Sequence, residues 1–456
     1  VNKGLGNPPP GANLAALRDH NAALVLGLLR DAGAAGASRA ELAGRTGLTP
    51  QAVSKICARL RAAGLAAEAG RRASTGGKPA TTWRLVPDAA HAIGLHLDRD
   101  ALTATLVDLT GTPVATRTAP LAFGAGAEAL LDAVAKEVAA LLADAEGCAA
   151  GGPTAGTSPS AVRGTAAASP SGAPGSRALA ADAREGSSAA AGELAAGGAA
   201  HAVPSSPRAS GTAHRPLLGV GVAVPGPLDH ASGVLHRVTG FPEWDGFPLR
   251  DALAERLGMP VVVDKDTNAA ALGLVLRGAG GGAPAADSFA YLHLGTGLGA
   301  GLVLGGGVHR GARTGAGEFG HQVLQLDGPP CPCGNRGCIE ALCLDAVAAG
   351  GTARAARLLG VGAANLVRLL DIDLVLLGGR TVLAEPEPYL RGVRAVLTED
   401  AGRADGRTVP VAVTPGGGRT VVEGAAELAL APLFGRSGTA FTTRSDETKI
   451  VTSGGM

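Results

Sequence analysis

The chain has 456 residues, enough for two or three domains, and its 46% hydrophobic content suits a globular protein. Its net charge is +1, yet residues 1–86 hold twelve Lys and Arg against four Asp and Glu, a net +8 that leaves −7 for the rest. That asymmetry excludes an evenly charged molecule and predicts a polyanion-binding end on a body with another task. No apolar run nears the ~18 to 20 residues that span a bilayer and no secretory leader is evident, so a cytoplasmic protein with reduced thiols is expected.

Residues 14–30 place Leu14, Leu17, Leu24, Val25, Leu28 and Leu29 on one predicted helical face. Ser38 and Glu41 form a capping box that starts a second helix, which stops near Gly47. Thr49 caps a third, with Pro50 at its first position, Leu48 packing on Val53, and Val53, Ile56, Cys57 and Leu60 as the buried stripe up to Gly64. Two short helices joined by "RTGL" read as a helix-turn-helix. The segments "LAAEAG", "RRASTGGKPA" and "TTWRLV" follow as strand, basic loop and strand, which describes a wing.

Residues 1–87 are therefore expected to form a winged helix-turn-helix domain that binds operator DNA. Gln51, Ser54 and Lys55, beside Thr49 at the start of the recognition helix, are placed to read base edges. Arg59, Arg71, Arg72 and Lys78 are expected to contact phosphates, and "GGKP" could enter a minor groove.

From Ile93 to Leu109 the pattern predicts two alternating strands around a turn, and residues 124–145 a helix. Residues 149–213, rich in Ala, Gly, Ser and Pro, show no sustained period and are expected to be a disordered insertion. Strands are predicted at "LLGVGVAVPGPLD" and at 260–264, 288–294, 373–377 and 409–413, mostly separated by helical patterns, which argues an α/β fold. Residues 88–148 and 214–434 would then be two parts of one domain, followed by a disordered tail over 435–456.

The stretch "CPCGNRGCIE" sets Cys331, Cys333 and Cys338 in one Gly-containing loop, three of the four ligands that tetrahedral zinc requires. His321, ten residues upstream in "GEFGHQVLQLDG", is the preferred fourth, with a strand from Gln322 to Leu326 returning the chain to the loop. Cys343 competes, but it sits in the apolar start of the next helix, where a buried free cysteine is ordinary. Four protein ligands make a closed, structural site.

"GEFGH" and "CPCGNRGCIE" resemble the signature of the ROK family of repressors, open reading frames and sugar kinases. "GVAVPGPLD", "VVVDKDTNAAALG", "LHLGTGLGAGLVLGGGVHRG" and "NLVRLLDIDLVLLGG" resemble its other blocks, in order. The resemblance implies an actin-like, two-lobed sugar-kinase fold, zinc on His321, Cys331, Cys333 and Cys338, and sugar contacts from Glu318, His321 and Glu340. It also aligns Asp266 with the family's catalytic base.

Kinases of the family carry Asp-x-Gly-Gly-Thr in the first strand pair, whose glycines admit ATP phosphates. Here the stretch is "HLDRDA": His96 stands for the Asp, and Asp98, Arg99 and Asp100 crowd the phosphate position. "GTGLG" at 295–299 survives but is a weak nucleotide signal alone. Poor ATP binding and no kinase activity are expected, leaving Asp266 a vestigial base that still contacts a sugar hydroxyl. Lys265 replaces a sugar-binding Asn, which points to an anionic effector or to an ion pair with Asp264 or Asp266. About 25 residues separate Glu340 from Asn365, where the family resemblance implies a longer helical segment.

The function implied is a sugar-responsive transcriptional regulator, a repressor of carbohydrate-utilisation genes. It would bind a sugar or sugar phosphate, hold structural zinc, and act as a homodimer or dimer of dimers. The rivals are an ATP-dependent sugar kinase with an accessory DNA-binding head, and a DNA-binding scaffold that takes no sugar.

Overall fold

A computed structural model describes residues 14–72, 80–150, 216–238, 240–277, 286–403 and 406–435. The expected insertion and tail fall almost wholly outside these residues, as does Lys78.

The head forms where local signals are strongest. Helix α1 (Leu14–Ala32) buries Ala22, Val25, Leu26 and Leu29, an i, i+3, i+4, i+7 set. Leu24, expected on that face, falls outside the set and is 38% exposed; the side chains of Leu14 and Leu17 lie outside the described residues. Before α2 (Arg39–Thr46), Ser38 Oγ accepts from the Glu41 amide at 3.2 Å and the Glu41 carboxylate accepts from the Ser38 amide at 2.7 Å. Gly47, at φ +69°, ends it. Helix α3 (Pro50–Ala62) starts at Thr49, whose Oγ1 accepts from the Ala52 amide, and buries Val53, Cys57 and Leu60. Strands β1 (Ala37–Ser38), β2 (Ala66–Arg72) and β3 (Ala80–Leu85) pair antiparallel in the order β1-β3-β2, so β2 and β3 form the two sides of the wing.

The body holds two five-stranded sheets with one repeated topology. The first joins β4 (His91–Leu97), β5 (Ala101–Asp108), β6 (Pro113–Pro120), β7 (Leu217–Val224) and β10 (Val261–Lys265) in the order β10-β7-β4-β5-β6. A two-stranded ribbon, β8 (Leu228–Asp229) with β9 (Val234–Leu235), lies between β7 and β10 in the chain. The second sheet joins β11 (Phe289–Leu294), β12 (Leu298–Leu304), β13 (Gly307–Val308), β14 (Leu374–Gly378) and β15 (Val411–Val413) in the order β13-β12-β11-β14-β15. In each, the first three strands form an antiparallel meander and the last two add in parallel beside the first strand. Strand β6 was not expected: its "PVATRTAP" is half-exposed along its length and lacks an apolar alternation.

Helices α4 (Ala127–Ala150) and α5 (Leu249–Leu257) cover the first sheet, where Val134, Leu141 and Leu253 meet Leu95, Leu106 and Val222. Helices α7 (Ile339–Ala348), α8 (Thr352–Leu370), α9 (Arg380–Ala384) and α10 (Pro386–Arg403) cover the second. Between the sheets run α6 (Asp266–Arg277) and α11 (Thr420–Leu430), whose Ala270 and Ala425 share a core with Tyr291 and Leu376.

Every residue of α11 is buried, and its neighbours approach to backbone contact. A Cβ on Gly424 would lie 2.0 Å from the Ala269 carbonyl, and one on Gly221 1.8 Å from that of Ala425. The end of α11 and the turn after it also complete the head: Ala426, Ala429, Leu430 and Phe434 lie in one apolar cluster with Val25, Leu29, Val53 and Trp83. Among the described residues, no helix is long and apolar enough to cross a membrane.

Candidate functional site

A cleft opens where strand ends of both sheets meet. Its walls are the β4–β5 turn (Asp98, Arg99), the end of β10 and start of α6 (Lys265, Asp266), His293 near the end of β11, the β11–β12 turn and start of β12 (Thr296–Gly299), Glu318, His321, and Glu340 at the start of α7. All five expected sugar contacts, Lys265, Asp266, Glu318, His321 and Glu340, are thus brought to one cavity.

Their partners differ from expectation at one position. The Lys265 side chain, 3% exposed, donates to Glu318 Oε1 at 3.0 Å and to the Ala316 carbonyl at 2.5 Å. Neither Asp264 nor Asp266 is its partner. Asp264, fully buried, instead accepts from Arg310 Nε at 2.7 Å, the Lys265 amide at 2.8 Å and Asn268 Nδ2 at 2.9 Å. Glu340 Oε2 accepts from the Leu298 amide at 2.7 Å, which anchors the carboxylate and leaves its other oxygen for a ligand.

At the Asp98 side of the cleft, the β4–β5 turn is bonded to the opposite wall. Asp98 Oδ1 accepts from Thr296 Oγ1 at 3.0 Å and from the Arg99 amide at 2.7 Å, and Asp100 pairs with Arg380 Nη1 at 2.7 Å. Burial opposes ionisation of Asp98, but His96, the Arg99 amide and Thr296 together hold its carboxyl below the usual range. Burial likewise holds the His96 imidazole below its ordinary value, against the pull of Asp266 and Asp98. His293 was not foreseen as a cleft residue, nor Arg310 as the partner of Asp264 behind it. Arg99 stacks over Phe241 at 5.8 Å, a pairing 142 positions apart that no local pattern announces.

The cysteine loop lies beside the cleft. The ligand atoms of His321, Cys331, Cys333 and Cys338 all lie within 4.8 Å of one another. His321 Nδ1 is 3.7 Å from Cys331 Sγ, and Cys333 Sγ is 3.7 Å from Cys338 Sγ. A tetrahedron with metal–sulfur bonds of about 2.3 Å has edges of roughly 3.7 Å, so the donor set fits zinc. The expected strand over 322–326 is a single bridge, Val323 to Cys338, because a turn at Gln325–Gly328 ends it. That turn passes so close that a Cβ on Gly337 would lie 1.6 Å from the Gln325 carbonyl. Burial pushes the Cys338 thiol up to about 12, while backbone and thiol hydrogen bonds bring Cys333 down despite burial. Cys343 is fully buried in α7 with its thiol on the Ala355 carbonyl at 3.7 Å, outside the cluster.

In the head, Gln51 and Lys55 are exposed on α3 and Arg71 on β2. Thr49 spends its hydroxyl on the helix cap, and Ser54 donates to the Pro50 carbonyl at 2.8 Å. Arg59 is half-buried, and the Arg72 side chain lies outside the described residues.

Residues 208–348, which include the cleft from Lys265 to Glu340 and the whole cysteine loop, match the ROK family model. The chain carries a ROK family domain. A glucokinase of Halalkalibacterium halodurans is 41% identical over 125 residues, 27% of this chain and 37% of that protein. A putative xylose repressor of a Caldicellulosiruptor species is 29% identical over 214 residues, 38% of this chain and 53% of its own length. The chain thus spans between about a third and about a half of these curated relatives. Outside the ROK match, the fold extends to the head: a ROK family transcriptional regulator, homolog of the E. coli MLC protein, superposes with a TM-score of 0.65 at 18% identity, over 92% of this chain and 98% of that one.

Proposed function

We propose that this ROK protein is a sugar-responsive, DNA-binding transcriptional regulator, a repressor of carbohydrate-utilisation genes, that binds its sugar without phosphorylating it. The observation that carries the reading is the pair of cross-cleft bonds, Asp98 to Thr296 and Asp100 to Arg380. They tie the β4–β5 turn to the β11–β12 turn and to the start of α9, across the space nucleotide phosphates would need, and the Asp98 carboxylate, bonded to a hydroxyl and an amide, keeps its charge to repel phosphate there. The same chain carries a basic head with Gln51 and Lys55 exposed on its second short helix.

The sugar would be held by Asp266, Glu318, His321 and the free oxygen of Glu340. Carboxylates and an imidazole accept and donate to neighbouring hydroxyls, and a buried hydroxyl without a partner would be rejected. Because Lys265 is neutralised by Glu318, the argument for an anionic effector lapses, and a neutral sugar fits better. Zinc on His321, Cys331, Cys333 and Cys338 would be structural, orienting His321 through Nδ1 so that its other nitrogen meets the sugar. Two heads in a homodimer would reach operator half-sites, the spacing set by which lobe arrangement the sugar favours.

A second reading, a sugar kinase with a DNA-binding head, draws on Asp266 standing in the cleft and on the 41% identity to a glucokinase. Fluorescence anisotropy on the gene's own upstream region, at constant salt with and without D-glucose and D-xylose, tests the first reading. Specific binding released by a sugar is the expected result. Specific binding indifferent to every sugar would point to a scaffold, and sugar-dependent ADP release to the kinase.

A further inference from the structure

Far from the cleft mouth, three charged side chains, Arg30, Glu427 and Arg277, form a chain of ion pairs that starts in the head and ends on α6. Arg30, in the last turn of α1, grips Glu427 of α11 with both guanidinium nitrogens, Nη1 to Oε2 at 2.8 Å, across 397 residues of sequence. The pair is sealed, with side chains 9% and 0% exposed. Arg30 is also held by the Thr110 carbonyl at 3.0 Å and lies over the Phe434 ring at 4.8 Å. Glu427 is shared: Arg277 Nε stands 3.9 Å from its Oε1.

Arg277 is the last residue of α6, and Asp266, which lines the cleft, is the first. The helix between them is a rod of roughly 16 Å. Arg277 is committed to Glu423, one turn before Glu427 on the same face of α11, while its Nη2 is buried with no hydrogen-bond partner among the described residues. It therefore holds one carboxylate firmly, a second at long range, and a donor in reserve. A small slide of α6 along α11 would move it from Glu423 toward Glu427.

We propose that Glu427 is the positioning residue through which the cleft sets the orientation of the DNA-binding head. When α6 is drawn toward the cleft or released from it, Arg277 and Arg30 compete for one buried carboxylate. The head then follows, because Arg30 sits buried where α1 meets α11 and carries the ion pair that joins them. The regulatory meaning rests on the sugar-responsive reading above; the mechanical link does not.

The link is tested without ligand by hydrogen exchange of the full chain carrying Arg277→Gln, a residue that does not touch the head. Loss of the competitor leaves Glu427 to Arg30, so the expected result is at least ten-fold slower exchange in the last two turns of α1, with Arg277→Lys restoring the wild-type rate. Arg419→Gln, which loses a partner of Glu423 only, should leave α1 unchanged. Unchanged or faster exchange in α1, or an acceleration spread evenly over α8 and β14, would overturn the proposal. The same measurement then follows addition of D-glucose or D-xylose, with binding read independently by calorimetry. A sugar that binds and alters α1 in the wild type but not in Arg277→Gln completes the relay, and one that binds without altering α1 overturns it. If neither sugar binds, the sugar reading suffers and the ligand-free comparison still decides the link.

Discussion

Replacing Arg310 by Leu removes the partner of a carboxylate that water cannot reach. Asp264 is fully buried and Arg310 is 11% exposed, so the loss is that of a broken interior pair, for which about 3–5 kcal/mol is usual. Asp264 keeps the Lys265 amide and Asn268 on Oδ1, and Oδ2 alone is stranded, so the lower end, about 3 kcal/mol, applies. At roughly 2–4 °C per kcal/mol, the melting temperature should drop by about 6–12 °C. Asp264 precedes Lys265 and Asp266, so sugar affinity should fall with it. Thermal unfolding of Arg310→Leu, Asp264→Asn and the double variant reads the coupling. The double variant should be clearly less damaged than the sum of the singles. A loss below about 1 kcal/mol, or strict additivity, would show that the pair is not what organises this edge of the cleft.

Metal analysis should find about one zinc per chain, and Cys338→Ser should abolish it; chelation should lower the melting temperature and weaken sugar binding together. Because burial pushes the metal-free Cys338 thiol up to about 12, the metal must displace a proton, so its affinity should rise with pH; the opposite slope would argue against thiolate ligands. Gln51→Ala should cost about 1–3 kcal/mol at one operator base pair, whereas Arg71→Ala should weaken all sequences alike and lower the salt slope by about 1. Burial holds the folded-state values of His96 and His230 below 6.5, so the unfolded chain takes up protons first. Their contribution to stability is complete above about pH 6.5 and is lost as pH falls toward the folded values, and His96→Gln should flatten that loss in denaturation curves at about pH 7.5 and 5.5.

What could be read in advance follows from the range of the interaction. The capping box at Ser38 and Glu41 and the Thr49–Pro50 start are made by residues no more than three apart, so spelling is enough. The second sheet's β11 and β14 came within a residue of expectation because buried strands are short apolar runs. The cysteine loop carries its donor types and spacing in ten letters, and only the return path over 322–326 was misjudged. Pairings set by the fold left no trace: Lys265 with Glu318, Asp98 with Thr296, and Arg30 with Glu427 join residues 53, 198 and 397 positions apart. Glu340 was marked by family resemblance, but its anchor on the Leu298 amide was not.

The apolar cluster beneath the head is closed by Ala426, Ala429, Leu430 and Phe434. A growing chain emerges from the ribosome with Val25, Leu29, Val53 and Trp83 first, and the residues that cover them come more than 300 positions later. Domains generally fold as units in the order of synthesis. Here the head must wait, with part of its interior uncovered, until α11 has been made. A product truncated before α11 therefore cannot present a finished head, and synthesis through Phe434 serves as the head's own quality check.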